Sequence, residues 1–335
     1  MSNYLSRVCI YPFIIVSAIL SFTQVFAQTE YSNGLLNTKR IFSQGLTESL
    51  AQPFVGVATS AGKTQGLFPI VSTGISTEPL ATAAAVFLES LSSIHLAKVQ
   101  FAIDDPEWRN WSNVDVGIFP RYGLSLEEMD AGQKRAAWDL ITKSLSAKGV
   151  ENVRGIMKTE QRLLEINNEP IRYGEEKYYL TIMGIPDAEE PWGWQLDGHH
   201  LVINFFVLGD QVTMTPAFWG GEPVSIEAGL YAGSTILQEE ESLGMAFMQS
   251  LDIQQQQQAT LNSEKTENNQ LAAANQDNLV LDYAGVKGSD FTSAQRIGLL
   301  KLIEVYIGNM ANSHAQITLK QIAQYMDETY FSWVG

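Results

Sequence analysis

Apolar positions recur at helical spacing towards both ends of the chain and switch to a period of two in its middle. Leu35, Leu36, Ile41, Phe42, Leu46 and Leu50 fit a short helix over 31–52. A second helix opens at Thr77-Glu78-Pro79, where a hydroxyl can cap free amides and neither acid nor proline costs a hydrogen bond. It runs over 81–91 with Ala84, Phe87, Leu88 and Leu91 on one face, and another begins near Ser92 and carries His95. Ser125 and Glu128 have the spacing of a capping box, predicting a helix through Trp138, Leu140, Ile141 and Leu145. Further helices are predicted over 152–166, over 243–251, from the glutamine run 254–258, over 296–310 and over 317–329. The triplets at 90–92, 144–146 and 250–252 (Ser-Leu-Ser or Ser-Leu-Asp) read as one corner used three times, ending a helix and offering a cap for the next.

Between these blocks, Tyr178 to Gly184 is β-branched and aromatic, and two apolar runs, 199–208 and 211–215, flank Gly209-Asp210 as a hairpin. Residues 192–197 add a strand before it. Both alternating faces of the run after His199 are apolar, which predicts a central strand covered on both sides. Placed in that strand, His199 and His200 point to opposite faces and would not grip one metal together. The pattern as a whole predicts an α+β fold, with a central, mostly antiparallel sheet from about 178 to 219 flanked by amino- and carboxy-terminal helices. The chain ends on the strand-like 331–335, which predicts a further turn or partner beyond it.

The first residues change the picture of where this fold works. Residues 1–7 are short and basic, 8–22 nearly all apolar, and Val25-Phe26-Ala27 is a small-x-small cleavage signal. This predicts a signal peptide over 1–27, a single domain over 28–335 and a secreted or periplasmic location, the rival being an uncleaved amino-terminal anchor. No later run reaches the ~20 apolar residues of a membrane span. The one cysteine, Cys9, lies in the leader, so disulfides and cysteine chemistry are excluded from the remainder. The net charge is −16, and losing Arg7 with the leader makes it one unit more negative. Nucleic acid and anionic membrane are therefore excluded as partners, while a small molecule is not.

Candidate chemistry concentrates in 191–223, which holds two of the four histidines and three of the seven tryptophans. Histidine and carboxylate suit zinc or iron, and an open coordination position would activate water. His199, His200 and Glu222 are the candidate metal ligands, with Glu240 and Glu160 as candidate catalytic carboxylates. A second reading makes the segment a small-molecule or carbohydrate site, in which Trp192, Trp194, Phe218 and Trp219 stack on a ligand and Asp197 accepts hydrogen bonds. A third is a structural or interaction protein without chemistry. No HExxH, H-x-H or G-x-S-x-G occurs, and Gly62-Lys63-Thr64 lacks the glycine spacing of a phosphate loop.

Taken together, 105–111, the helix start 123–129, the run 191–201, 215–220 and the Glu-rich start before Ser250-Leu251-Asp252 resemble the domain of unknown function 3500 family, in order, from about Leu36 to Trp333. The resemblance implies an exported, mainly bacterial protein with no established activity. It also implies that relatives continue past the terminal Phe-x-Trp into strands bearing a His-x-His. On that implication this chain is truncated and lacks part of a site.

Overall fold

The computed structural model describes residues 34–66, 68–265 and 277–335; the leader 1–27 and most of the polar run 262–276 lie outside the described residues. Helix α1 spans 34–50 and is followed by β1 (Val57–Ala58), α2 (Glu78–Glu89), α3 (Ser93–Val99), β2 (Gln100–Phe101) and β3 (Leu124–Ser125). Helices α4 (Ala131–Ser144) and α5 (Ala147–Asn167) lead to the strands β4 (Tyr178–Gly184), β5 (Trp192–Gly198), β6 (Leu201–Leu208), β7 (Gln211–Thr213) and β8 (Ala217–Trp219). The remainder comprises α6 (Gln238–Gln249), α7 (Ile253–Ala259), β9 (Thr260–Asn262), β10 (Leu279–Val280), β11 (Val286–Lys287), α8 (Ser293–Ile307), α9 (Asn312–Gln324), β12 (Tyr330–Phe331) and β13 (Trp333–Val334).

The fold is α+β, as the periodicity predicts. The central sheet runs β2–β4–β5–β6–β7, with β3 beside β4 and β8 beside β6. It is mixed, which corrects the expectation of a mostly antiparallel sheet. Strand β2 pairs parallel with β4 because the α4–α5 pair lies between them in sequence, and a crossover of that length returns the chain in the same direction. The small pairs β1–β10 and β9–β13 are parallel too.

Register divides the sheet into two different faces. Cross-strand rows Leu180–Leu196–Ile203 and Ile182–Trp194–Phe205 put large apolar side chains on one side, where they meet Phe87 of α2, Leu140 and Ile141 of α4, and Ile156 of α5. Every one of these is fully buried, and each contributes roughly 1.5–3 kcal/mol of transfer free energy. The other side carries the polar row Thr181–Gln195–Asn204. Segment 102–121 covers it: the Trp108 ring lies over Gly193, where an added Cβ would come within 2.6 Å of it, and stands edge-on to Phe206 at 6.1 Å. Strand β6 is thus central and covered on both faces, as its pattern predicts.

Local signals explain most boundaries. The recurring corner is real in each copy: Ser92, Ser146 and Asp252 cap α3, α5 and α7 through the amides of His95, Gly149 and Gln255. The serine two residues earlier donates back to its own helix, at Phe87, Leu140 and Phe247 respectively. Ser125 and Glu128 do form a capping box, but it opens only a 3-10 turn, and α4 begins at a second box made by Asp130 and Gln133. The chain is extended at Met129 between them, so the two boxes cannot share one helix.

A second core gathers Phe247, Leu251, Val286, Phe291, Leu299 and Phe331 from the carboxy-terminal helices, their flanking turns and the β11–β12 pair. Its link to the first runs through Ser146, whose hydroxyl donates to Gly308 and whose amide donates to Asn309. Gly149 faces the same contact, and a Cβ there would stand 2.2 Å from the Asn309 carbonyl oxygen. Gly149→Ala, which would add about 1 kcal/mol of helix propensity in the open, is expected instead to destabilise by about 1–3 kcal/mol through overpacking. Urea unfolding followed by circular dichroism measures the sign. The terminal aromatic run finds partners within the chain: β12 pairs with β11 and β13 with β9. Among the described residues no helix is long and apolar enough to cross a membrane.

Candidate metal centre

His199 and His200 are not in a strand. Gly198 pairs with Leu201, so the two histidines form the two-residue turn between β5 and β6. His200 adopts the left-handed conformation, φ 59°, uncommon for a residue with a side chain. Three hydrogen bonds hold the turn: Tyr178 Oη donates to the His199 carbonyl (3.1 Å), the His200 amide donates to Asn113 (3.0 Å), and the Gly220 amide donates to the His200 carbonyl (2.8 Å). Gly198 leaves room for the Tyr178 ring, which a Cβ would meet at 2.2 Å. The expectation that the rings face opposite sides of the sheet is corrected, because strand alternation does not apply within the turn. The rings instead stack with centroids 3.7 Å apart and planes 27° from parallel.

Glu160 reaches this pair from α5. Glu160 is 1% exposed, and its Oε1 is hydrogen-bonded to Nδ1 of His199 and lies 3.9 Å from Nδ1 of His200. Ligand atoms from the three residues all lie within 4.8 Å of one another. Nδ1 of His200 is buried and has no hydrogen-bond partner, an arrangement that is costly unless something occupies the lone pair. Glu222, 70% exposed, stands at the rim with Oε2 3.8 Å from Nε2 of His200. The set that converges, two imidazole nitrogens and the one buried carboxylate of Glu160, fits a divalent ion, whereas Glu222 faces the other ring nitrogen of His200 and stays outside it.

Electrostatics around the cluster come from groups that local sequence pattern does not mark. Burial, reinforced by Asp115 and opposed by Arg121, pushes the Glu160 carboxyl up to about 9. Burial pushes His199 down to about 4 against the pull of Asp115, and pushes His200 to about 4 with help from the His199 ring. Burial therefore favours the uncharged form of both partners in the Glu160–His199 hydrogen bond. Asp115 is held by Arg172 at 2.8 Å, and the Tyr173 ring lies 5.9 Å from His199. Arg121, whose side chain is fully buried, pairs with Asp197 at 3.0 Å and donates to the carbonyls of Ser112 and Val114. The one trace of Arg121 in the sequence is a lone cation within apolar 118–126.

The remaining candidates lie elsewhere. Glu240 is at the start of α6, where its charge acts on Tyr306 of α8, and it does not join the cluster. Trp192 and Trp194 are core residues with no accessible surface, and Trp194 stacks on Phe205 at 5.3 Å. Their faces are filled by protein, which corrects their assignment as a stacking platform. Asp197 is likewise committed, to Arg121 and the Ser112 amide. Phe218 and Trp219 are half-buried on β8, and strand alternation sends them to opposite sides of the sheet.

No curated protein and no solved structure matches the chain significantly. The family model described as "Protein of unknown function (DUF3500)" matches residues 73–335, a span that includes Glu160, both turn histidines and every strand of the central sheet. The chain belongs to the DUF3500 family.

Proposed function

We propose that this is an exported metal-dependent enzyme, with Glu160, His199 and His200 holding zinc or iron, Glu222 at the rim, and a small molecule as substrate of a hydrolytic or oxidative reaction. The observation that carries the reading is the orphaned, buried Nδ1 of His200 beside Oε1 of Glu160, the atom that Nδ1 of His199 also meets. A metal would supply a Lewis acid and an ionised water there. The chain's own part is to hold two neutral imidazoles and one carboxylate in place and to keep solvent from all but the Glu222 side. The acidic balance of the chain and the leader-like residues 1–27 support an extracytoplasmic setting.

Metal analysis of the purified protein, before and after loading with zinc or iron(II), tests the reading. About one equivalent per chain is expected, and no stoichiometric metal after loading would sink it. A second outcome follows from the protonation states. Neutral imidazoles have no proton to lose at pH 7.5, whereas the Glu160 carboxyl, at about 9, must lose one when a cation displaces it. Loading in weak buffer with an indicator dye should release about one proton per metal, and metal affinity should rise with pH until about 9 and then level off.

A further inference from the structure

The histidine turn stands where β6 begins, and an apolar cavity opens where the same strand ends. Leu201, beside the turn, and Leu208, in the cavity wall, are the two ends of β6, roughly 23 Å apart at about 3.3 Å per residue. The cavity encloses about 370 Å³, at the lower end of the ~300–1,000 Å³ usual for small-molecule sites. Its apolar walls include Phe206 and Leu208 of β6, Ile307 and Met310 at and after the end of α8, and Ile322 of α9. Met310 is buried, whereas Phe68 and Ile70 at the rim are 55% and 77% exposed. The rim segment is fastened at both ends: the Phe68 ring stands edge-on to Tyr325 at 5.3 Å, and the amides of Thr73 and Gly74 donate to Asp210 at 2.9 and 2.7 Å.

The polar groups of this cavity are uncommitted. Five successive residues, 211–215, line it, so β7 presents its edge as well as one face. Strand β7 is the outermost of its sheet, and the outward amides and carbonyls of an edge have no ladder partner. The half-buried side chains of Gln211, Thr318 and Gln321 form no hydrogen bond with any described residue. Thr318 and Gln321, three residues apart on α9, share one face of it. No charged side chain among the described residues lines the cavity. An ionised ligand would enter without a counter-charge, which is costly, while an uncharged head would meet amides and hydroxyls able both to donate and to accept. At three residues, β7 is too short to take up a peptide as an added strand.

We propose that this cavity is a second binding site, for a neutral amphiphile: an apolar chain of medium length ending in an alcohol or an amide. The chain lies between Phe206, Met310 and Ile322, and the head is held by Thr318 and Gln321. The site stands apart from the histidine cluster and does not rest on a metal being bound there.

The test uses the full chain and N-phenyl-1-naphthylamine, an uncharged probe that fluoresces in apolar surroundings. Saturable binding of one probe per chain is expected. Displacement by 1-decanol should be at least about tenfold more effective than displacement by decanoate at pH 8, because the carboxylate would be buried unpaired. Ile322→Trp and Thr318→Trp, which fill the cavity, should each abolish probe binding, with circular dichroism confirming that both fold. Gln321→Leu should keep the probe and weaken 1-decanol about 3–10-fold, the worth of about one hydrogen bond. The proposal is overturned by an absence of saturable binding, by decanoate displacing as well as 1-decanol, by binding that survives in both tryptophan variants, or by unchanged 1-decanol affinity in Gln321→Leu. Should neither tryptophan variant fold, wild-type crystals soaked in 10-bromo-1-decanol decide the matter: an anomalous bromine peak beside Phe206 and Met310 is expected, and its absence overturns the site.

Discussion

On the proposed metal-binding reading, alanine at His199 should abolish stoichiometric binding of a divalent metal. Supporting residues around a metal centre typically cost 10–100-fold in affinity when removed, and a direct ligand should exceed that range. His199→Ala and His200→Ala are each expected to weaken cobalt(II) binding by more than about 100-fold, read by competition with a chelating dye. Glu240→Gln, distant from the cluster and facing Tyr306, should bind as the wild type does. Affinities within a few fold of wild type in both histidine variants would reduce the stacked pair to a hydrogen-bonded turn. Glu160→Gln separates two roles for the carboxyl. The amide can still hydrogen-bond His199 and support the turn, but it is a poor metal ligand, so binding should fall while the thermal stability of the metal-free protein holds.

The largest stability change is expected from Trp194→Ala. The indole is fully buried, stacks on Phe205 with planes 11° apart and belongs to the main core. Truncating such a side chain costs about 3–5 kcal/mol, combining lost transfer energy with an unfilled cavity. Its Nε1 has no partner, so no hydrogen bond is lost in compensation or added to the cost. Phe218→Ala, half-buried on the short β8, should cost much less. Chemical denaturation followed by circular dichroism gives both values, and a loss under about 1 kcal/mol for Trp194→Ala would show that the ring is not the core element its burial implies.

Much of the fold was legible because its signals are local. Alternation marked β4, β5 and the hairpin around Gly209-Asp210, and cap residues marked α3, α5 and α7. The parallel β2–β4 pairing was not legible, since a two-residue strand has no period to read. The site was legible in composition and not in geometry. The density of histidine and tryptophan drew attention to 191–223, but the apolar run after His200 made both histidines look like strand residues. Turns of two residues usually announce themselves with Asn, Asp or Gly at the left-handed position, and here a histidine occupies it. The tryptophans misled for a complementary reason: an aromatic's sequence neighbours do not say which face of a sheet is covered. Glu160 was one of many glutamates on helices, and Asp115, Arg121 and Arg172 reach the cluster only through contacts between distant segments.

The histidine turn is fastened by Tyr178, Asn113 and Gly220 before any metal arrives. Preorganisation of this kind moves the entropic cost of assembling the cluster into folding, so that on the proposed reading an ion would need only to lose water and displace the Glu160 proton. It also ties the centre to strand pairing: an inserted residue between Gly198 and Leu201 would alter the reversal itself, leaving this centre far less room for loop-length variation than one built on a free loop.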